Sequence, residues 1–437
     1  MKIAIVGAGL AGLTAAKSLL DADAGDITVF DRHAGPGLET SHANGALLHP
    51  SAVDPWNSPG ILRFLLANLG NERAAVLLRL RALPSLLGWG FTFVRESSPE
   101  RHRRHTLANV ALALRSVQLM QGLRAQGLEY GAAQRGSLAL HRTAAGFAQA
   151  EQRARWLREH GVPSRVLTRD ELVAMEPALA PIVGKGAGAL AGALHNACDE
   201  SGDAYRFCLA LTAHLEARGV HFRWGCNVRS LRADGDTVRG LVLDESDVRH
   251  GDGSQAFDAV VLAAAWWSVA LAAPLGLKLP VRPVKGYSLT LPQPDDAVAH
   301  GPAPRTPLVD HDLHVAVVPV VGDRLRVAGT AEFCGEDRRI DPVRIANLSR
   351  LLTQVYPALQ THVARAPRQE WTGLRPMCAD GKPIIGATRI KGLYLDTGHG
   401  QLGWTTGAAS GELLACAMTR RAPPIDAAPF SPARFGL

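Results

Sequence analysis

The sequence predicts an α/β protein of two domains, in which a parallel sheet is assembled from widely separated segments and a second, α+β domain holds a mixed or antiparallel sheet. Three observations support this prediction. A strand, a glycine-rich turn and a helix follow one another in "KIAIVGAGLAGLTAAKSLL". Strand-like runs that would extend the same sheet appear only much later, in "VHFRWGCNVRSL", "FDAVVLAA" and "GLYLDTG". With 437 residues, the chain is also too long for one simple core.

The N-terminal turn, GAGLAG, lies between a strand and a helix, which is the context that gives such a motif its meaning. Gly7 permits the tight turn, Gly9 lets the backbone approach a pyrophosphate, and Gly12 lets the helix pack closely on the strand. The helix N-terminus offers free N–H groups to phosphates. The next strand ends at Asp31, whose carboxylate would accept a hydrogen bond from a ribose hydroxyl and repel a 2′-phosphate. The motif therefore predicts an ADP-containing dinucleotide without that phosphate.

The separation of the strands favours FAD over NAD. An NAD dehydrogenase usually completes its nucleotide domain in one contiguous run, whereas a domain in three pieces is typical of glutathione-reductase-like FAD folds. We predict that residues 1–85, 195–280 and 370–437 form the FAD-binding Rossmann domain. Residues 86–194 and 281–369 would form the substrate-binding domain, in which "LHVAVVPVVGDRLRVAGT" predicts a hairpin that turns at Gly322 and Asp323.

Composition limits the partners and the compartment. The formal charge of +7 favours anionic partners without choosing among nucleic acid, a membrane surface and small acids. The six cysteines form no CxxC pair and no zinc-like cluster with histidine, so we expect reduced thiols, a cytoplasmic protein and no metal site. The uncharged run at residues 259–277 is long enough to span a membrane. Pro274, Gly276 and the strand-like "DAVVLAA" favour a buried strand, a turn and a short helix instead.

Five further motifs carry a family resemblance: "ETSHANGALLHPS", "DESGD", "KGYSLT", "WTGLRPM" with "ADGKPIIG", and "TGHGQLGWT". In order and spacing the chain resembles, nearly end to end, the D-amino acid dehydrogenase small-subunit family within the FAD-dependent D-amino acid oxidase and glycine oxidase group. The resemblance implies that a D-amino acid is oxidised to its imino acid by hydride transfer to flavin N5. The imine then hydrolyses to a 2-oxo acid and ammonia. It also implies a quinone or another acceptor in place of oxygen.

Arg375 is the cation in "EWTGLRPMCADGKPIIG", a segment that is otherwise apolar and rich in turns. A guanidinium offers two parallel N–H donors in the geometry of a carboxylate, and the resemblance implies that Arg375 holds the substrate carboxylate. The alternative is a structural ion pair with Glu370 or Asp380. Tyr287 is a second catalytic candidate, which could share the carboxylate or close the pocket, or be a core tyrosine with a satisfied hydroxyl.

The second glycine-rich turn, GHGQLG, opens a helix-like stretch. N–H groups at that helix N-terminus would stabilise negative charge on the flavin during reduction, and His399 is expected to be structural. The resemblance places the "ETSHAN" loop along the flavin. We predict that FAD contacts the two turns, this loop and two further positions: Gly7, Gly9, Leu10, Ala11, Gly12, Asp31, Arg32, Ser41, Asn44, Gly45, Ala46, Leu47, Val228, Ala264, Gly398, His399, Gly400, Gln401, Leu402 and Gly403.

The flavin loop departs from the family pattern. Members commonly read A-N-A-G-Q-I-S-P-G-Y where this chain reads "ANGALLHPSA", so the glutamine, serine and tyrosine are replaced by Leu47, His49 and Ala52. Substrate preference is therefore not carried over, and His49 becomes a candidate for the pocket. His42 and His49 could also attach flavin covalently or lie in solvent. A second departure is Ala265, where the family has glycine; a methyl group fits there if φ is negative.

Other functions stay open on the sequence alone. The same fold could oxidise another amine, such as D-proline or a hydroxyproline isomer, sarcosine or glycine, because Leu47 and Ala52 alter the flavin loop. An RNA-modifying flavoprotein is a further alternative, but no aromatic–basic interleaving supports nucleic-acid binding, so none is expected. We expect a cytoplasmic protein that could also bind the anionic inner face of the plasma membrane. The Pro-rich stretch at residues 291–307 predicts a surface loop, a candidate lid or membrane contact.

Overall fold

A computed structural model describes residues 1–183, 190–244, 253–294 and 302–437, so residues 295–301 of the predicted Pro-rich loop lie outside it. The strands are β1 Lys2–Val6, β2 Asp26–Phe30, β3 Leu47–Leu48, β4 Val76–Leu78, β5 Ser137–His141, β6 Ser164–Leu167, β7 Gly192–Asn196, β8 Glu200–Ser201, β9 His221–Arg223, β10 Val228–Asp234, β11 Thr237–Leu243, β12 Ser254–Ala256, β13 Ala259–Leu262, β14 Val281–Pro292, β15 Leu308–Asp310, β16 Val315–Val320, β17 Arg324–Phe333, β18 Gln369–Cys378, β19 Ile384–Ala387 and β20 Leu393–Thr397. The helices are α1 Leu10–Asp21, α2 Ile61–Ala67, α3 Leu83–Arg95, α4 Pro99–Ala125, α5 Ala144–Glu159, α6 Arg169–Met175, α7 Ala180–Val183, α8 Ala204–Glu216, α9 Ser268–Ala272, α10 Pro342–Val355, α11 Gln360–Arg365 and α12 Gly403–Thr419.

The first large sheet has six strands in the order β19-β20-β13-β1-β2-β9. The strands from β20 to β9 are parallel, and β19 runs antiparallel to β20. The central β1 is covered on both faces, as its uninterrupted apolar run predicts. Ile3 and Ile5 pack with α1, α8 and α12, whereas Ala4 and Val6 pack towards the small sheet β10-β11-β12. The prediction of a parallel sheet assembled from separated segments is confirmed.

Helices α1 and α12 cross at close range over this sheet. The Thr14 hydroxyl of α1 donates a 2.8 Å hydrogen bond to the carbonyl of Gly407 in α12. A Cβ atom on Gly411 would lie 2.5 Å from the backbone of Thr14. Glycine is therefore required at the crossing point, and the close contact joins the helix after the first glycine turn to the helix after the second.

The second large sheet has nine strands, in the order β18-β14-β17-β16-β15-β5-β7-β6, with β4 also paired to β17. The hairpin between β16 and β17 turns at Gly322 and Asp323, as predicted. The predicted division into domains, in which residues 1–85 and 370–437 assign β4 and most of β18 to the FAD-binding domain, stays a prediction. Both strands form backbone hydrogen-bonded ladders within the second sheet.

The uncharged run at residues 259–277 forms β13, a 3₁₀ turn at Ala265–Trp267 and α9, as predicted. In the part of the chain that the structure describes, no helix combines the length and the hydropathy that crossing a bilayer would need. All six cysteines are unpaired, and four of them are buried.

Candidate functional site

The first glycine turn shows the close approaches that its sequence predicts. Gly7 has a φ of +108°, and a Cβ atom there would lie 2.7 Å from the carbonyl oxygen of Ala263. A Cβ atom on Gly12 would lie 1.8 Å from the carbonyl oxygen of Gly7. Any side chain would therefore push the turn away from β13 or α1. The two glycines bring the N-terminus of α1 to the end of β1, a position suited to phosphate groups.

Ser41 and Asp31 hold the same turn from two sides. The Ser41 hydroxyl accepts a 3.2 Å hydrogen bond from the N–H of Leu10, in the first turn of α1. The Asp31 carboxylate accepts hydrogen bonds from the N–H of Ala8 at 2.7 Å and of His33 at 2.9 Å. Asp31 therefore braces the turn, and its remaining lone pairs are those that a ribose hydroxyl would use. Its contact with a ribose stays a prediction.

Arg32 lies beside the turn, within a cluster of charges. Its guanidinium carbon is 4.0 Å from the centre of the Trp267 ring, and the guanidinium bonds to the carboxylate of Glu39. Glu39 Oε1 is also 2.7 Å from His33 Nε2 and 2.8 Å from an Arg338 nitrogen. The cluster fixes the start of the flavin loop beside β2. Contact between Arg32 and a cofactor stays a prediction.

One cavity of about 840 Å³ runs from the first turn into the space between the two large sheets. The predicted site residues in its wall are Gly9, Leu10, Ala11, Ser41, Asn44, Gly45, Leu47, His49, Tyr287, Arg375, His399, Gly400, Gln401 and Gly403. The other predicted cofactor residues are not in the wall: Gly7, Gly12, Asp31, Arg32, Ala46, Val228, Ala264, Gly398 and Leu402.

Several of the predicted residues outside the wall belong to the hydrophobic core. Val228 and Ala264 pack in the cluster that contains Phe30. Leu402 packs with a cluster below α4, and Ala46 packs against strands of the second sheet. Their side chains are therefore structural, and only their backbone groups are left for a cofactor contact. Apolar residues beside a glycine motif do not reveal this difference in the sequence.

Arg375 projects from β18 into the cavity. A Cβ atom on Gly286, in the neighbouring β14, would lie 2.3 Å from the Arg375 guanidinium carbon, so the guanidinium lies directly over a glycine. The same carbon is 5.5 Å from the centre of the Trp56 ring. Nη1 donates a long, 3.4 Å hydrogen bond to the carbonyl of Thr330. Burial lowers the pKa of Arg375 to about 10, so the group is a cation at neutral pH.

Both structural partners considered for Arg375 are engaged elsewhere. Glu370 Oε1 lies 3.2 Å from Arg368 Nε, and Asp380 Oδ2 lies 2.8 Å from Arg434 Nε. Among the described residues, no carboxylate forms an ion pair with Arg375. Arg375 therefore does not form the structural ion pair with Glu370 or Asp380 that was the alternative to substrate binding. A buried cation without a counter-ion is costly, and a bound anion would remove that cost.

Tyr287 has the geometry of the core alternative. Its ring lines the cavity, but its hydroxyl donates a 2.7 Å hydrogen bond to Glu332 Oε2. Glu332 also accepts from Arg79 Nε at 2.6 Å and lies 3.6 Å from Lys285 Nζ. Burial and the adjacent carboxylate raise the pKa of Tyr287 above its ordinary value. To reach a substrate carboxylate, the hydroxyl would have to leave Glu332.

Three histidines line one part of the cavity: His49, His311 and His314. Burial lowers the pKa of His49 and of His311 to about 4, so both are neutral at physiological pH. His311 also stacks on His141, with 5.1 Å between ring centres. His42 is not in the wall and packs against the Tyr205 ring. Sequence reasoning missed His311 and His314, for which the polar run "DHDLH" before β16 was the available signal.

The "DESGD" motif positions the loop that carries His49. The buried Asp199 accepts hydrogen bonds from the Ser51 hydroxyl at 2.5 Å and from the Ser137 hydroxyl at 2.6 Å. Burial raises the pKa of Asp199 to about 6. Ser51 follows His49 by two residues, and Ser137 begins β5. The two hydrogen bonds to Asp199 therefore link the flavin loop to the second sheet.

The second glycine turn follows β20 and opens α12. A Cβ atom on Gly400 would lie 2.6 Å from Met377 Sδ. His399 Nε2 lies 2.8 Å from the Ser410 hydroxyl, as a structural residue would. Asp396 is fully buried and also bonds to Ser410, whereas its Oδ2 atom has no partner among the described residues. Since Asp396 lines the cavity, this carboxylate could accept a hydrogen bond from a cofactor hydroxyl; sequence reasoning missed it.

Two alanines occupy the left-handed backbone region where the family pattern has glycine. Ala46 has a φ of +59° and Ala265 has a φ of +52°. The negative φ under which a methyl group would fit at Ala265 is therefore not observed. Gly45 has an ordinary φ and room for a Cβ atom, since its closest neighbour would be Ala328 at 3.8 Å. In the flavin loop, glycine thus stands at position 45, whereas the left-handed backbone conformation that favours glycine occurs one residue later, at Ala46.

These features define a class of protein, a dinucleotide-dependent oxidoreductase. The first turn requires glycine at the phosphate position, the cavity runs without interruption to β18, and the N-termini of α1 and α12 both open into it. The residues present fit FAD, since Asp31, Ser41 and Asp396 offer hydrogen-bonding groups near the two turns. The chain belongs to the FAD dependent oxidoreductase family, which residues 2–417 match.

Relatives of known name are similar over nearly the whole chain. A D-amino acid dehydrogenase of Paramagnetospirillum magneticum is 40% identical over 418 residues, which cover 95% of this chain and 94% of the relative. A D-amino acid dehydrogenase of Methylobacterium nodulans is 39% identical over 436 residues, 100% of this chain and 99% of the relative. Among solved structures, glycine oxidase from Geobacillus kaustophilus has a TM-score of 0.75 and 25% identity, covering 98% of this chain and 97% of its own.

Proposed function

We propose that this protein oxidises D-amino acids to imino acids, which water then hydrolyses to 2-oxo acids and ammonia. The observation that supports this most is Arg375, a buried guanidinium in the cavity wall that has no carboxylate partner in the described part of the chain. The substrate loses a hydride from Cα and a proton from its nitrogen, so a C=N bond forms. Bound FAD supplies the hydride acceptor, and the relatives named above carry the D-amino acid assignment.

Arg375 would bind the substrate carboxylate through two N–H groups and so fix the position of Cα. The fork of a guanidinium matches a carboxylate in a way that an ammonium group does not. Gly286 gives the guanidinium its space, and Trp56 and Thr330 limit its movement. Positioning of this kind can lower a reaction barrier by several kcal/mol.

His49, His311 and Tyr287, which also line the cavity, would not compete with Arg375 for the substrate carboxylate. His49 and His311 are neutral because burial lowers the pKa of each to about 4. The Tyr287 hydroxyl is directed at Glu332. If the amino group arrives neutral, its extra proton has already been lost, so the reaction needs no side chain as a general base. The first-turn N–H groups of α12 would stabilise negative charge as the cofactor is reduced.

The wall around Arg375 favours an apolar substrate side chain. Trp56, Phe64, Leu65, Phe93 and Phe333 all line the cavity. A bulky apolar side chain would bury its surface there at roughly 25 cal/mol per Å². A secondary amine, such as D-proline or a hydroxyproline isomer, is the second candidate. It is favoured by the flavin loop, whose Leu47 and Ala52 face the cavity where the family pattern has glutamine and tyrosine.

We further propose a lipid-soluble quinone as the electron acceptor and an anionic membrane surface as the partner. The resemblance to D-amino acid dehydrogenases supports the quinone. The net charge of +7 supports an anionic surface.

The test is anaerobic reduction of the FAD-loaded protein by a panel of D-, L- and N-alkyl amino acids, followed by flavin absorbance. We expect D-amino acids with apolar side chains to bleach the flavin, and Arg375→Ala to need roughly 100-fold more substrate because a charged hydrogen-bonded pair is lost. Arg375→Lys should restore little. The control is Arg368→Ala, at an arginine beside β18 that pairs with Glu370.

Two results would contradict this proposal. One is FAD-containing protein that no D-amino acid reduces. The other is reduction that proceeds equally well in Arg375→Ala and in the Arg368→Ala control. Preferential bleaching by N-alkyl amino acids, with the same dependence on Arg375, would assign the secondary-amine function instead.

A further inference from the structure

The surface formed by α2, α3 and the segment between them is unusually apolar. Of the fourteen large hydrophobic side chains exposed in the described part of the chain, eight lie within residues 62–94. They are Leu62, Leu66, Leu69, Leu80, Leu83, Leu87, Phe91 and Val94. We call these eight side chains the apolar face. Monomeric proteins rarely expose so many apolar residues together unless the surface binds something.

Six of the eight side chains of the apolar face lie on α2 and α3, and other residues of both helices pack on one core cluster. Ile61 and Leu65 of α2 join that cluster together with Trp89 and Phe93 of α3. In α3 the exposed apolar residues recur at the spacing that places them along one helical face. No charged residue lies between the first of them and the last in this helix. Helix α3 is therefore apolar on both its buried and its exposed sides.

Unpaired arginines border the apolar face. Arg63 and Arg73 lie on or just after α2, and Arg103 and Arg104 lie in the first turns of α4, which begins four residues after α3 ends. All four are exposed, and among the described residues none has an ion-pair partner. By contrast, Arg81 pairs with Asp337. Within the part of the chain that the structure describes, these four arginines thus carry positive charge that no ion pair with a carboxylate offsets.

We propose that the apolar face docks on an anionic lipid bilayer. Its leucines and Phe91 would enter the headgroup region, while the bordering arginines contact anionic headgroups, as in interfacial helices that do not span the membrane. Charge favours this occupant over a second copy of the chain. In a symmetric dimer through this face, the same positive border of each subunit would face that of the other.

Docking on a bilayer would explain how a quinone in the membrane reaches the cofactor. In this respect it rests on the proposed function. Phe64 and Leu65 line the cavity, whereas Leu62 and Leu66 of the same short helix are exposed. One helix, roughly 10 Å thick with its side chains, therefore separates the apolar face from the cavity. Docking would place the cavity wall against the lipid phase that holds the acceptor.

The experiment is co-sedimentation of the FAD-loaded protein with vesicles of phosphatidylglycerol and phosphatidylethanolamine, and with vesicles of phosphatidylcholine alone. We expect binding to the anionic vesicles that weakens in high salt. Leu87→Ser combined with Phe91→Ser should weaken binding at least tenfold. The matched control is Leu209→Ser, at another exposed leucine, on α8, which should bind like the natural protein. Arg63→Gln should cost about fivefold, and only at low salt.

Equal loss of binding in the control, or no binding of the natural protein to either kind of vesicle, would overturn the proposal. So would a dimer, detected by light scattering, that the Leu87→Ser, Phe91→Ser variant dissociates, since the face would then belong to a second copy. Flavin reduction by amino acids without vesicles tests the proposed function separately and should be unchanged in this variant. Reoxidation by a quinone held in the vesicles should slow in the variant, while reoxidation by a water-soluble dye should not.

Discussion

At the scale of single residues, the candidate site depends on which side chains lack a partner. Arg375 was identifiable in the sequence as a cation in an apolar segment, and the resemblance implied its role. The structure adds that Glu370 and Asp380 are bound elsewhere and that Gly286 makes room for the guanidinium. Neither fact is visible in the sequence, because ion pairing depends on which groups the fold brings together.

Gly286→Ala tests this arrangement directly. The added Cβ atom would lie 2.3 Å from the Arg375 guanidinium carbon, and the flexible arginine would move while the strands stay paired. We expect the dissociation constant of a D-amino acid, or of an unreactive carboxylate analogue, to rise between about 10- and 100-fold, as for a lost charged hydrogen bond. Spectral titration of the bound flavin measures it.

The control for this variant is Gly122→Ala, at an exposed helical glycine with no atom within 4 Å of its Cβ position. It should leave substrate binding unchanged and add about 1 kcal/mol of helix stability at most. If Gly286→Ala binds substrate like this control, Arg375 does not hold the carboxylate in the position described.

At the scale of elements, the cavity wall depends on a short strand, β4, that pairs with β17 of the second sheet. Strand β4 and the residues before it supply Ala75 and Val76 to the wall. They are held by Arg344 of α10, a fully buried guanidinium that donates to the carbonyls of Glu72, Ala74 and Ala331 at 2.6, 2.8 and 3.2 Å. A three-residue strand carries little pattern of its own, so its pairing with β17 could not be predicted.

Arg344→Met should therefore destabilise the protein and loosen this wall. It removes the Arg344 donor from three carbonyl groups, two of them in buried hydrogen bonds, which we expect to cost about 3–5 kcal/mol in the free energy of unfolding. Urea unfolding of the FAD-loaded protein, followed by tryptophan fluorescence, measures the change. Arg350→Met on the same helix is the matched control, since Arg350 is exposed and bonds to Asn347. A loss within about 0.5 kcal/mol of the control would show that Arg344 does not hold β4.

At the scale of the whole molecule, two sheets meet around one cavity, and the buried groups between them make its stability depend on pH. His49 and His311 have folded pKa values of about 4, below the ordinary value of 6.5. The unfolded chain therefore binds protons first as pH falls from 6.5 to 4, and stability is lost across that window. Asp199 acts in the opposite sense, because its folded pKa of about 6 exceeds the ordinary 3.8 and favours the folded state in acid.

We expect the free energy of unfolding to fall between pH 7.5 and pH 5 by about 2 kcal/mol for each of the two histidines, less about 1 kcal/mol regained at Asp199. Denaturant unfolding at both pH values, with excess FAD, measures the difference. His49→Gln with His311→Gln should flatten the dependence, and His221→Gln, at an exposed histidine, should not. An unchanged pH dependence in the double variant would mean that these imidazoles are not buried as described.

The sequence by itself determined the class of fold and the first glycine turn, because short-range patterns express these features, and the separation of the strands along the chain favoured FAD as the cofactor. A strand, three glycines and a helix must be consecutive to form the turn, and its glycines are required by contacts within a few residues or with one neighbouring strand. The order of the remaining strands along the chain also indicated that the sheet is assembled from separated pieces.

Only the tertiary structure decided which groups meet across long separations in the chain. It directed Tyr287 at Glu332, brought His311 and the unpaired Asp396 oxygen to the cavity, and left Val228 in the core. It also left apolar side chains of α2 and α3 exposed to solvent. The physical reason is common to all of these: burial and pairing depend on neighbours that are distant in sequence, and a residue type alone does not name its neighbour.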